Sequence, residues 1–156
     1  STVAEISFVQ TDKHLFFDIE GRLLISRTID GKFPAWERMV PPDYTYVAVV
    51  DRAALLSIVR RAGLVAEVLS LTINETAIAI TAASVEVGDA DEAMPCTYTG
   101  PEITLTFRGA YLVDVLTAAT SQDVTLAFKN SASPLLMTNG AYLNVIMVMP
   151  GSSRGR

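Results

Sequence analysis

Side chains that could carry out bond chemistry are few in this 156-residue chain, and they are scattered. There is one histidine, His14, and one cysteine, Cys96. A zinc site needs three or four His, Cys or carboxylate ligands gathered together, and a serine nucleophile needs a histidine beside it. His14 stands next to Lys13 in a short polar turn with no nucleophile motif nearby, so it reads as solvent-facing. The nine glycines are dispersed and build no phosphate-cradling loop. Glu86, Asp89, Asp91 and Glu92 form the one acidic cluster, and a hard cation could be held by such a set. Their spacing is not that of a calcium loop, and Gly88 in their midst marks a hairpin tip. The residues therefore predict no catalytic group, no metal and no cofactor, and the chain reads as a non-enzyme.

Binding chemistry is better represented. The stretch from Gly31 to Pro42 holds the only tryptophan, Trp36, and three of the seven prolines. Proline fixes φ and extends the residue before it, so Phe33-Pro34 and Val40-Pro41-Pro42 fit neither a helix interior nor a central strand. Phe33, Trp36, Met39 and Val40 are too apolar for a floppy linker. A stiff, extended, apolar segment of this kind runs across a surface and packs on it. Near the other end, Met147 and Met149 alternate on a predicted strand. They are either core positions of an edge strand or part of a surface that adapts to several partners, since thioethers repack easily. Arg60 and Arg61 fall off the apolar stripe of a predicted helix, on its solvated face.

The elements that must position these residues follow from hydrophobic periodicity. Residues 3–10, 14–19 and 23–29 read as three antiparallel strands joined by turns at Thr11-Asp12-Lys13 and Glu20-Gly21-Arg22. After the proline-rich segment comes an internal repeat. Tyr44–Val50 predicts a strand, with Asp51 capping a helix whose stripe is Leu55, Ile58, Val59 and Ala62. Alternating strands follow over 68–73 and 77–82, and a closing strand near Ala93–Thr99. Asn74-Glu75-Thr76 has the form of a glycosylation sequon and reads as the turn between the two alternating strands. A shift of 57 residues repeats the pattern: strand Ile103–Phe107, then the stripe Leu112, Val115, Leu116 and Ala119. On that shift Leu126 and Phe128 fall on Leu69 and Leu71, and Leu135 and Met137 on Ile78 and Ile80. The second closing strand is Ala141–Met149. The expected fold class is α+β, a duplicated β-α-β-β-β with two helices on one face of an antiparallel sheet.

Composition bounds the rest. Half the residues are apolar and 19% are charged, enough for one full core. No apolar run is long enough to span a membrane. A single cysteine allows no internal disulfide, and a reducing, cytoplasmic compartment fits it. The net charge of −5 disfavours tight phosphate binding by the whole surface but leaves room for a local basic face.

Leu24-Ile25-Ser26-Arg27-Thr28-Ile29-Asp30-Gly31-Lys32-Phe33-Pro34, followed by Arg38-Met39-Val40-Pro41, resembles the junction between the second and third domains of the bacterial DNA polymerase III β subunit, the sliding clamp. So do Asp51-Arg52, Tyr111-Leu112-Val113-Asp114-Val115-Leu116 and Val148-Met149-Pro150. The resemblance covers essentially the whole chain. It implies the end of a second clamp domain over 1–30, an interdomain linker over 31–42, a third clamp domain over 43–150 and a tail over 151–156. It also implies a processivity factor that forms a homodimeric ring around duplex DNA. DNA polymerase subunits, the clamp loader and repair proteins would dock on it through a short linear motif. The pocket residues it points to are Pro34, Arg38, Met39, Ala132, Pro134, Met147 and Met149. Arg60 and Arg61 would face DNA, and Gly63 and Leu64 would sit at the subunit interface. This sequence departs from the family pattern in three ways. The first domain and the start of the second are absent from it. The Met-rich ending is replaced by Gly151-Ser152-Ser153-Arg154-Gly155-Arg156, and Gly63 stands where an apolar residue is usual. A reading of another class is a free-standing peptide-binding module of the same fold that does not encircle DNA.

Overall fold

The computed structural model describes residues 5–33, 35, 37, 40, 43–140 and 142–149. Pro34, Arg38 and Met39, and with them half of the proline-rich segment, lie outside the described residues, as does the tail. The chain divides into two compact units, Ser1–Ala35 and Trp36–Arg156.

The first unit is a three-stranded antiparallel meander, β1 (Ile6–Gln10), β2 (His14–Ile19) and β3 (Arg22–Arg27). Its second turn is two residues long, Glu20 and Gly21, with φ of 52° and 79°. Two positive φ values in succession match the right-handed twist of a hairpin, and glycine takes the second without strain. Asp18 Oδ1 accepts from the Gly21 amide at 3.0 Å and fixes this turn.

The second unit carries the repeat. Its first half runs β4 (Tyr46–Asp51), α1 (Arg52–Ala62), β5 (Val68–Ile73), β6 (Ala77–Ser84), β7 (Gly88–Pro95) and β8 (Thr97–Tyr98). The second half runs β9 (Ile103–Arg108), α2 (Gly109–Ala118), β10 (Asp123–Phe128), β11 (Leu135–Asn139) and β12 (Tyr142–Ile146). The architecture is α+β with antiparallel sheets and two helices, as the periodicity predicted. The layer is, however, divided into two sheets. One is ordered β12-β11-β10-β4-β8, the other β7-β6-β5-β9. The copies have exchanged their opening strands: β4 pairs with β10 of the second half, and β9 with β5 of the first.

Three sequence expectations are refined by this register. Leu126 lies opposite Ala48 as Leu71 lies opposite Leu105, so Leu126 corresponds to Leu71 and Phe128 to Ile73. The connection after α1, 63–67, is longer than that after α2, and the simple shift of 57 fails across it. The expected strand Ala93–Thr99 is broken at Cys96. Pro95, on an edge strand where its missing N–H costs nothing, ends β7, and Thr97–Tyr98 crosses to pair with β4 in the other sheet. The last expected strand pairs only over Tyr142–Ile146.

Both helical stripes face a single core. Leu55, Val59, Ala62, Leu112 and Leu116 are fully enclosed together with Leu69, Leu71, Ile78, Ile80, Leu105, Phe107, Leu126, Phe128, Leu135 and Met137. The helices pack on each other, α1 against β6 and β7, α2 against β9 and β12. Asn74 forms the expected turn between β5 and β6, its Oδ1 accepting from the amides of Thr76 and Ala77 at 3.1 and 3.0 Å.

Candidate docking surface and helix face

The end of the chain is positioned by alternation. Ile146 is buried and Val148 packs on the core, while Met147 between them faces the other way. Met147 is 57% exposed and Met149 is half-buried. Beyond β12 the strand is carried on by one bond, the Met149 amide donating to the Thr106 carbonyl of β9 at 2.8 Å. The alternative of a core position on an edge strand is therefore excluded for Met147.

Met147 borders a depression of about 320 Å³ between α2 and β12, whose other walls are Tyr111, Asp114, Val115, Val145 and Ile146. Tyr111, Asp114 and Val115 are spaced i, i+3, i+4, so one helix face presents all three. Pro134 adjoins through register. It precedes Leu135, whose ladder partner is Ile146, so Pro134 and Met147 share one end of the β11–β12 hairpin. Ala132 is exposed in the connection before β11, its amide donating to Asn130 Oδ1 at 2.9 Å. Two of the sequence candidates, Pro134 and Met147, thus fall in one region. Tyr111 was not among the sequence candidates. Its signal was a large aromatic just off the apolar stripe of α2, where it remains half exposed.

Gly63 and Leu64 end α1. Gly63 is its C-cap, donating to the Val59 carbonyl at 2.9 Å, and Leu64 is 81% exposed. They border a second depression of about 510 Å³, walled also by Glu67, Arg108, Tyr111 and Val113.

The two arginines of α1 behave differently. Arg61 reaches back to the sheet. Its Nε donates to Glu92 Oε1 at 2.8 Å, a second nitrogen pairs with Glu92 Oε2, and Nη1 donates to Ser57 at 2.5 Å. That hydrogen bond holds the Glu92 carboxyl below its ordinary value and the Arg61 guanidinium above its own. Arg60 is exposed and makes one bond, to Thr117 Oγ1 of α2 at 3.2 Å. The expectation that both arginines turn away from the sheet therefore fits Arg60 better than Arg61.

The acidic cluster is split by the same pair. Glu92 is engaged by Arg61, while Asp89 and Asp91 lie on the exposed edge strand β7. Among the described residues, no group of three His, Cys, Asp or Glu side chains could hold a metal ion. His14 lies on β2 beside Phe16, ring centroids 6.1 Å apart. Cys96 is half-buried, its thiol facing the Asn74 carbonyl at 3.5 Å, and burial pushes its pKa up. No described helix is long and apolar enough to cross a membrane.

Two interlocked β-α-β-β-β copies with paired helices define the fold of a DNA sliding clamp domain. The sequence profile of the DNA polymerase III beta subunit, C-terminal domain, matches residues 37–151, and the chain belongs to that family. It is 30% identical over 138 residues to the beta sliding clamp of Escherichia coli, covering 82% of this chain and 36% of that protein. With the beta sliding clamp of Synechococcus elongatus it shares 28% over 134 residues, 81% of this chain and 36% of that one. The DNA polymerase III subunit beta of Pseudomonas aeruginosa superposes with a TM-score of 0.81 at 25% identity, over 94% of this chain and 42% of that one. The chain thus spans well under half the length of the relatives it matches.

Proposed function

We propose that this chain is the C-terminal part of a bacterial processivity clamp. Its complete form encircles duplex DNA as a cytoplasmic homodimeric ring and is not an enzyme. Polymerase subunits, the clamp loader and repair proteins dock on it through a short linear motif. The observation that carries this reading is the exposed Met147 beside the depression walled by Tyr111 and Val115. Exposed, flexible thioethers next to an aromatic on a rigid helix suit a surface that accepts several peptides. Ala132 and Pro134 are assigned to the same pocket, as are Pro34, Arg38 and Met39 by resemblance. A fluorescent peptide carrying a polymerase docking motif tests the assignment by anisotropy. Met149→Ala and Met147→Lys should each weaken it roughly tenfold or more, the loss expected on truncating a buried anchor. Unchanged affinity in both variants removes this surface from the reading.

DNA contact is assigned to α1, with Arg60 as its chief cation and Arg61 held partly by Glu92. Such contacts are to phosphates, sequence-independent, each contributing about −0.9 to the log–log salt slope. Arg60→Ala should lower that slope and leave peptide binding intact. Gly63 and Leu64 are assigned to the subunit contact, with Leu64 supplying its apolar bulk.

A further inference from the structure

Arg60 and Thr117 hold the same place in the two copies of the repeat, for they lie 57 residues apart and so do the starts of α1 and α2. Equivalent groups of two copies related by a two-fold touch only on its axis. The bond from Arg60 Nη2 to Thr117 Oγ1, 3.2 Å long, therefore marks the centre of the helix pair. A second arginine at 117 would set like charges together there, whereas threonine accepts. A similar bond lies one turn away. Ser57 stands three residues before Arg60 on the same helix face, and its hydroxyl accepts from Arg61 Nη1 at 2.5 Å. Ser57, Arg60 and Thr117 are all exposed. Among the described residues neither hydroxyl donates its own hydrogen, and the other N–H groups of Arg60 have no partner. Accepting from a cation polarises an O–H and makes it a better donor.

We propose that this cluster is a phosphate-contact site spanning both helices. The Arg60 guanidinium and the hydroxyls of Thr117 and Ser57 donate together to the phosphodiester oxygens of duplex DNA. The site rests on the reading of α1 as a DNA-facing helix, and it draws α2 into that contact. One cation and two neutral donors suit a phosphodiester, which spreads a single negative charge over two free oxygens. Arg61 adds little charge of its own, because Glu92 already pairs with it. Asp114, one turn earlier on α2, is exposed and negative, which keeps the hold on any one phosphate weak. Contacts of this kind carry no sequence information.

Anisotropy of a labelled duplex, titrated with the 156-residue chain from about 20 to about 150 mM NaCl, reads affinity and salt slope together. Loss of the cation and loss of a hydroxyl should then differ. Arg60→Ala should reduce the steepness of the slope by about 0.9. Thr117→Val is neutral and nearly isosteric, so it should weaken binding about three- to tenfold, the size of one lost hydrogen bond, at an unchanged slope. Ser57→Ala should weaken it about twofold or more, again without moving the slope. Thr117→Ser keeps the hydroxyl and should stay within about twofold of the parent. So should Thr104→Val, which removes an exposed hydroxyl from β9. Affinity unchanged in both Thr117→Val and Ser57→Ala, with the slope still reduced in Arg60→Ala, overturns the composite site and leaves α1 as the DNA face. An equal loss in Thr104→Val overturns it too. A slope unmoved by Arg60→Ala, or no duplex binding in this range, removes α1 from that role and the site with it. Inorganic phosphate in place of chloride at equal ionic strength should displace no more duplex. Extra displacement would make the cluster a site for free anions, and the assignment to DNA would fall.

Discussion

The two copies of the repeat solve the same problem, the ends of a short helix, by different means. In the first copy Asp51 caps α1, its Oδ1 accepting from the Ala54 amide at 2.7 Å. The next residue, Arg52, stretches to the far end of α2 and donates to the carbonyls of Leu116 and Ser121 at 3.2 and 2.9 Å. In the second copy the equivalent positions are Arg108, which makes no capping bond, and Gly109. A side chain at Gly109 would bring its Cβ within 2.9 Å of Leu69 Cδ1, so the strand packs where the arginine would start. The end of α1 needs no donor from Gly109, because its longer connection folds back on it. Gly63, Leu64 and Val65 donate to Val59, Arg61 and Ala62. Helix ends must be satisfied, but side chain and backbone are interchangeable ways of doing so. The choice made here leaves the 510 Å³ depression at one end of the helix pair and a filled seat at the other.

The largest test of this comparison breaks both copies at once. Leu112→Ala removes a fully buried side chain of α2 and should cost about 2–5 kcal/mol. Because the opening strands are exchanged, β5 and β10 amides should lose hydrogen-exchange protection together. Protection kept in one set alone would show that the halves unfold separately. Arg52→Ala is next. It strips two charge-assisted bonds from the end of α2 in a partly buried setting, and about 1.5–3 kcal/mol of denaturant stability should go. Asp51→Ala should cost about 1 kcal/mol, the usual value of a lost cap. Arg108→Ala at the matching position should change stability by less than about 0.5 kcal/mol, since what is lost is an exposed pair with Glu67 and a contact with the half-exposed Tyr111. Equal costs at Asp51 and Arg108 would contradict the asymmetry. The smallest effect is one of pH. Glu92 is held below its ordinary value near 4.5 by Arg61, so the pair stabilises the fold above that value. The contribution is lost as pH falls through the lowered folded pKa. Glu92→Gln should lower Tm slightly at pH 7, and the gap from the parent should close on acidification.

Local features of this fold could be read from the sequence, and those created by pairing between distant segments could not. The stripe Leu55, Ile58, Val59, Ala62 and the cap Asp51 were legible because each depends only on neighbours three or four residues away. Hairpin turns at Glu20-Gly21 and Asn74 were legible for the same reason. The exchange of β4 and β9 was not, since nothing in the composition of Tyr46–Asp51 distinguishes β5 from β10 as its partner. The break at Cys96 was missed because the residues on both sides alternate well enough to pass for one strand. At the candidate docking surface, the methionines stood out by type, but Tyr111 became a neighbour of Met147 only once α2 was laid beside β12. The bond between Arg61 and Glu92 was hidden likewise, because it joins a helix to a strand 31 residues further on.

The exchanged strands also set an order of events during synthesis. Residues Tyr46–Asp51 leave the ribosome before their partners, for six of their eight strand pairings are with Asp123–Phe128, the other two being with Thr97–Tyr98. At ordinary elongation rates the partner follows on the order of ten seconds later. Throughout that interval β4 is an apolar strand with an open edge, a state prone to wrong pairing. The nascent chain therefore cannot fold one copy and then the other. It must wait, and any factor that shields Val47, Val49 and their neighbours has its work during that pause.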